Sequence, residues 1–184
     1  RKNKLKILGI DPGLRHTGWG VINTVSNKLE YLDDGTINTI TNTYDGDRLL
    51  FIFQKLEKIV KRFQPAIIGI ERTFVGEGNL SSLKLGMSRG ICLLVAAKAE
   101  IQIKELAPKL IKKSVTGSGN ADKYQVNSMI KKLLGITPVN NDSADALAIA
   151  ITANNYKDLN NNDNNNNSNN NLNKAIKRAL LNQR

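Results

Sequence analysis

The sequence predicts an α/β fold, a single mixed sheet with helices laid against it. Three observations carry this. The first forty residues hold three apolar, β-prone runs separated by short turns, the pattern of consecutive antiparallel strands. From residue 45 the apolar spacing changes to three-to-four, and helical stretches then alternate with short apolar strands. Two of those strands end in a carboxylate, Asp11 and Glu71, where an isolated charge is costly unless something compensates it.

Each element follows in order. In KILGIDPGLRHTGWGVI, residues 5–11 read as a strand closed by Asp11 and the tight turn Pro12-Gly13. Residues 18–25 read as the second strand. Residues 29–40 read as the third, with turn residues Asp33-Asp34-Gly35 inside it and Asn27-Lys28 as the hairpin tip. Leu49, Phe53, Leu56, Val60 and Phe63 mark an amphipathic helix over 45–63, with Pro65 at its exit. Residues 66–70 form a short apolar strand of the kind buried on both faces, ending at Glu71.

A long helix is expected over 80–100. Its Gly86, Gly90, Ala96 and Ala97 suit either close core packing or a subunit interface. Residues 101–106 read as the fifth strand. The loop TGSGNADK leads to a helix over 121–134, stopped by Gly135 and Pro138, and a last helix spans 142–154. The predicted order is β-β-β-α-β-α-β-α-α, a mixed five-stranded sheet in one domain over residues 1–156. Residues 157–173 are an Asn-rich low-complexity linker that lacks the side chains for a core. Residues 174–184 form a basic tail, read as disordered or as an extra phosphate-binding arm.

Charge narrows the partner. Twenty-seven Lys and Arg stand against 16 acids in 184 residues, a net +11. Such an excess favours a polyanion, nucleic acid first and an anionic membrane second. No apolar run is expected to reach the roughly 20 residues of a membrane span, so no membrane partner is expected. The short basic start runs straight into a core strand, so no signal peptide is expected, although the chain opens on Arg1 rather than Met. The lone Cys92 cannot form an internal disulfide and suits a small core position in a reducing, intracellular setting.

The acids then acquire a reason. If the strands ending in Asp11 and Glu71 are parallel neighbours, both carboxylates leave the same sheet edge, a favoured ligand site in α/β folds. In NDSADALAIAIT, Asp142 and Asp145 are three apart and share a helix face, beside an apolar face of Ala144, Leu147, Ala148 and Ile151. Taken alone, Asp142 reads equally well as an N-cap and Asp145 as a partner of the helix dipole. Four converging carboxylates repel one another unless cations intervene. Oxygen-only ligands select hard ions, so Mg²⁺ or Mn²⁺ is expected rather than zinc. Two such ions about 4 Å apart suit phosphodiester hydrolysis on nucleic acid.

The motifs GIDPG, IGIE followed by Phe74, LKLGMSRG, GSGNADK and DSADALAIA resemble, in order and spacing, the RuvC family of Holliday-junction resolvases. The resemblance runs from about residue 5 to residue 154. It implies a ribonuclease-H-like fold and a crossover junction endodeoxyribonuclease that serves recombination and repair. By that resemblance Asp11, Glu71, Asp142 and Asp145 are catalytic, metal-binding carboxylates holding two Mg²⁺, with Mn²⁺ able to substitute. Some members carry His where this chain has Asp145. Phe74 falls where the family stacks an aromatic on bases, an interaction worth about 1–3 kcal/mol. Lys112 and Lys123 fall at DNA-contacting positions that support cleavage.

Lys113, Arg72, Lys84 and Arg89 are weaker DNA-contact candidates. His16 is the only histidine and lies close to Asp11 in sequence, but the family needs no histidine there. The resemblance also implies a homodimer making symmetric nicks in a four-way DNA junction, the partners RuvA and RuvB, and a bacterial cytoplasmic location. Three other readings are weaker. A junction-binding protein without nuclease activity leaves the acids unexplained. A sugar-kinase or actin-type phosphotransferase needs a second domain, for which the chain is too short. A ribonuclease-H-like nuclease acting on other branched DNA or RNA is the closest alternative.

Overall fold

The computed structural model describes residues 4–26, 28–72 and 80–156. The chain runs β1 (Lys4–Asp11), β2 (His16–Val25), β3 (Lys28–Asn38), α1 (Asp45–Phe63), β4 (Ile67–Glu71), α2 (Leu80–Lys98), β5 (Gln102–Leu106), α3 (Pro108–Thr116), α4 (Lys123–Leu134) and α5 (Asn141–Asn155). The five strands lie in the order β3-β2-β1-β4-β5. The hairpin partners β1, β2 and β3 pair antiparallel, whereas β4 joins β1, and β5 joins β4, in parallel. The expected mixed sheet is present, and its two acid-ending strands are parallel neighbours.

Strand alternation divides the core into two layers. Ile7 of β1, Ile22 of β2 and Ile67 of β4 join a cluster with α3, α4 and α5. Leu8, Ile10, Val21, Ile68 and Ile70 face the other way and join α1 and α2. Side chains two apart share a face. Gly9 and Asp11 therefore follow Ile7 towards α5, and Gly69 and Glu71 follow Ile67. The parity of two short apolar strands thus sends both acids to the helix that carries the other two.

That helix lies unusually close to the sheet. Gly9 pairs with Gly20 on β2 and with Gly69 on β4, so three glycines form a row across the sheet. A Cβ on Gly9 would collide with the backbone of Ala146, and one on Gly18 with the backbone of Asp142. The row is a trough in which α5 lies. From Asp142 to Ala153 every residue of α5 is buried except Asp142 and Asp145.

Four sequence expectations are revised. A helix, α3, stands in what reads as a connection before TGSGNADK: Pro108 occupies its first turn and Gly117 closes it with φ 83°. Asp33-Asp34-Gly35 makes no turn. It continues β3, and the irregularity is taken up by a register shift opposite Val21 and Ile22. The narrow apolar face expected for α5 is instead an almost wholly buried helix. Finally, α2 is long and apolar enough to cross a membrane by length and composition, with mean hydropathy 1.3, because Lys84 and Arg89 interrupt the run without cancelling it. Its Cys92, Val95 and Ala96 pack into the core, while Leu80, Leu83, Met87 and Leu94 are exposed. The linker over 157–173, the tail over 174–184 and Asn27 of the hairpin tip lie outside the described residues.

Candidate active site

The four acids meet at the carboxyl ends of β1 and β4. Ile10 pairs with Ile70, so Asp11 and Glu71 are the next residues on adjacent strands, about 5 Å apart at the backbone. Asp11 pairs with Gly18, over which the backbone of Asp142 sits. Asp142 does not cap α5. Asn140 does, accepting the Ser143 N–H at 3.0 Å, and the Ser143 hydroxyl accepts the Asn140 N–H in return. The Asp142 carboxylate is therefore spared for the first turn, where the helix N-terminus favours negative charge.

The electrostatics show the convergence. Burial, then the charges of Asp145, Glu71 and Asp142, push Asp11 up to about 7. Glu71 is raised by burial and by Asp145, against the opposing pull of Lys112 and Lys123. Asp145 is raised by burial, although its bond from Lys123 acts in the opposite direction. Lys123 Nζ lies 3.0 Å from Asp145 Oδ2. That bond and the neighbouring acids raise the Lys123 pKa, which keeps the ammonium charged at neutral pH. Lys123 occupies this place because Asp122 caps α4 in a reciprocal box with Gln125, making Lys123 the first helical residue.

The structure thus gathers Asp11, Glu71, Asp142, Asp145, Lys123 and Lys112. Among the described residues no three acids form a tight, ready-made ligand cluster, and Lys123 stands among them. The donor set is nonetheless wholly oxygen, which suits a hard divalent ion. Neither of the softer donors competes. Cys92 is fully buried, donates to the Ser88 carbonyl and is pushed up to about 12 by burial. His16 is exposed, with Nδ1 2.8 Å from Asn38 Oδ1.

The other sequence candidates separate. Lys112 is half-buried on α3, Lys113 is exposed beside it, and Arg72 is exposed directly after Glu71. Lys84 pairs with Asp45 at 3.5 Å, and Arg89 pairs with Glu105 across to β5, so both are engaged inside the fold. Phe74 lies outside the described residues. Sequence reasoning missed Asp34 on β3. Its carboxylate accepts the Tyr31 hydroxyl at 2.6 Å and the Val139 N–H at 2.8 Å, tying down the approach to α5. The only signal was an acid at an inward position of a strand.

A mixed sheet with this strand order, an acid at the end of each of β1 and β4 and a second pair on the covering helix define a ribonuclease-H-like nuclease. The family model for crossover junction endodeoxyribonuclease RuvC matches residues 7–153. Proteins of that name from Afipia carboxidovorans and Nitrobacter hamburgensis are 46% and 45% identical over 149 residues. Each alignment covers 80% of this chain, and 87% and 88% of those proteins. The structure of Thermus thermophilus RuvC in complex with a Holliday junction substrate superposes with TM-score 0.75 at 30% identity, covering 80% of this chain and 92% of that one. The chain belongs to the RuvC family of crossover junction endodeoxyribonucleases.

Proposed function

We propose that this chain is a homodimeric, divalent-metal-dependent enzyme that resolves four-way DNA junctions by paired nicks in strands of like polarity. The observation that carries the reading is the convergence of Asp11, Glu71, Asp142 and Asp145 in a protein of net charge +11, where burial first and then the neighbouring acids push Asp11 up to about 7. The basic exterior draws the DNA backbone in, and the acids repel it only at the point of reaction. Two Mg²⁺, or Mn²⁺, held by those four acids would activate the attacking water and neutralise charge on the leaving oxygen.

The protein's own groups do the rest. Lys123 brings a permanent ammonium to the edge of the acid nest, within reach of a phosphate laid across it. Lys112 adds a second positive charge from α3. Asp122, Asn140 and Asp34 hold α4 and α5 in the positions that make this possible.

The exposed stripe Leu80, Leu83, Met87 and Leu94 on α2 supports the dimer, since a second copy would cover it. Two copies would present two nests to the two symmetry-related strands of a junction. RuvA and RuvB are the proposed partners that bind and migrate the junction, and the bacterial cytoplasm the proposed location.

The test uses an immobile four-way junction and a linear duplex of the same sequence, each strand end-labelled in turn, with Mg²⁺ or Mn²⁺. Symmetric nicks in the junction alone, absent with Asp11→Asn, are expected. Equal cutting of the duplex would remove junction specificity and favour a nuclease for other substrates. Tight binding without nicks in either metal would leave a binding protein.

A further inference from the structure

One aromatic beside the acid nest has no role in the fold. Tyr124 follows Lys123 on α4 and is 82% exposed, with its hydroxyl and ring in solvent. Exposed tyrosine on a stable helix contributes nothing to the core, and in a nucleic-acid-binding protein a free ring is a stacking surface. Its position is specific. Lys123, the residue before it, reaches Asp145 at 3.0 Å, and Tyr124 lines a cleft together with Asn140 and Asn141, the residues that precede Asp142.

Tyr124 stands on a ridge between two clefts. One, about 260 Å³, lies between α4 and the start of α5. The other, about 280 Å³, lies between α4 and the loop after α3. The first cleft has the chemistry of a nucleotide site. Tyr124, Asn127, Ser128 and Lys131 stand at i, i+3, i+4 and i+7, one continuous face of α4. Asn140 and Asn141 form its far wall, immediately before Asp142. The wall is held by Asn127 Nδ2 donating to Asn141 Oδ1 at 2.8 Å, while the buried Asn127 Oδ1 has no partner. Side-chain amides, a hydroxyl, one ammonium and a free ring are the groups that contact bases and phosphates.

We propose that this cleft is a subsite for a nucleotide of the strand being cut, adjacent to the scissile phosphate. Tyr124 stacks on its base, and Lys131 neutralises the next phosphate along the strand. The inference rests on the junction-cleaving reading of the site. It adds a second aromatic contact, on the α4 side of the acids, to the one expected from Phe74 after β4. Tyr124 is then a positioning residue, acting through the geometry of the strand on the acids.

The experiment places 2-aminopurine at each nucleotide flanking the nick in a four-way junction. Binding is followed with the full chain carrying Asp11→Asn, which holds the junction uncut. One flanking position should be quenched in this protein and in its Tyr124→Phe derivative, and released in its Tyr124→Leu derivative. With Asp11 restored, Tyr124→Leu should slow single-turnover nicking by about tenfold or more, while Tyr124→Phe retains the rate. Lys131→Gln should lower the slope of log affinity against log salt by about 1. Melting temperatures of the exposed-site variants should match the parent.

Tyr124→Leu nicking and quenching as the parent does would overturn the subsite while junction cleavage stands. A slower rate without any position-specific change in fluorescence would overturn it too, as a merely structural effect. A parent protein that does not nick junctions removes both readings together.

Discussion

Lys123 of α4 and Asp145 of α5 meet at 3.0 Å, with 58% of the lysine side chain and 29% of the aspartate side chain exposed. The starts of the two helices are tied there by this cation set against an acid nest, and again by Asn127 donating to Asn141 at 2.8 Å. The pairing accounts for the raised pKa of the lysine, and it opposes the burial that raises the aspartate.

Removing that cation should separate chemistry from binding. Lys123→Met is expected to slow single-turnover junction cleavage by roughly 100-fold, the usual cost of one charge-stabilising donor at a reaction centre. Junction affinity should fall by much less, because many other Lys and Arg side chains share the phosphate contacts. Single-turnover rates at saturating protein, beside a gel-shift titration in EDTA, make the comparison.

The acids should tax the metal-free protein in proportion to their ionisation. Asp11 is raised from 3.8 to about 7, chiefly by burial and then by Asp145. A group raised in the folded state contributes stability that is complete below its unfolded pKa and lost as pH climbs through its folded pKa. Between pH 5 and pH 8 the loss from this group is on the order of 3 kcal/mol. Asp11→Asn escapes it. In EDTA the variant should therefore melt above the parent at pH 8, with the gap narrowing towards pH 5. Calorimetry over that range reads the effect directly, and added Mg²⁺ should stabilise the parent more than the variant.

The stripe on α2 should govern assembly. Leu83 is 54% exposed and Leu94 53%. Leu83→Glu is expected to leave folding intact and convert the proposed dimer to monomer in sedimentation velocity. Paired nicking of a junction should then uncouple into independent single nicks, scored by the ratio of linear duplex products to singly nicked junction.

The helix trough should tolerate no added carbon. Gly9→Ala places a methyl against the backbone of Ala146 and Ala150, neither of which can swing aside. A loss of about 3 kcal/mol is expected, measured by urea unfolding. Gly18→Ala places its methyl against the Asp142 backbone. It should reduce cleavage further than its loss of stability explains, because it displaces an acid of the proposed metal site directly.

Much of this architecture was legible in the residues. Alternation and period change located all five strands and four of the five helices, since those signals are local and strong. The spacing of Asp142 and Asp145, and the acids closing two apolar strands, marked the site before any geometry was known. What remained hidden depended on contacts between distant segments. The short α3 has only nine residues, too few for an apolar period to stand out. The complete burial of α5 follows from glycines on other strands, which its own sequence does not record. Asp142 resembled a cap because the true cap, Asn140, is equally polar and two residues earlier. Tyr124 drew no notice because an exposed aromatic looks the same in sequence as a buried one.

The glycine row has a further meaning for how such a site is calibrated. The distance between the strand-borne acids and the helix-borne acids is set by a spacer of zero thickness, three positions where the chain contributes only backbone. A machinist would call it a gauge face. At Gly9 the helix backbone beds directly on the sheet, with no side chain between the two whose rotamer could change the standoff. The tolerance of the proposed catalytic centre is therefore held by residues that bear no functional group.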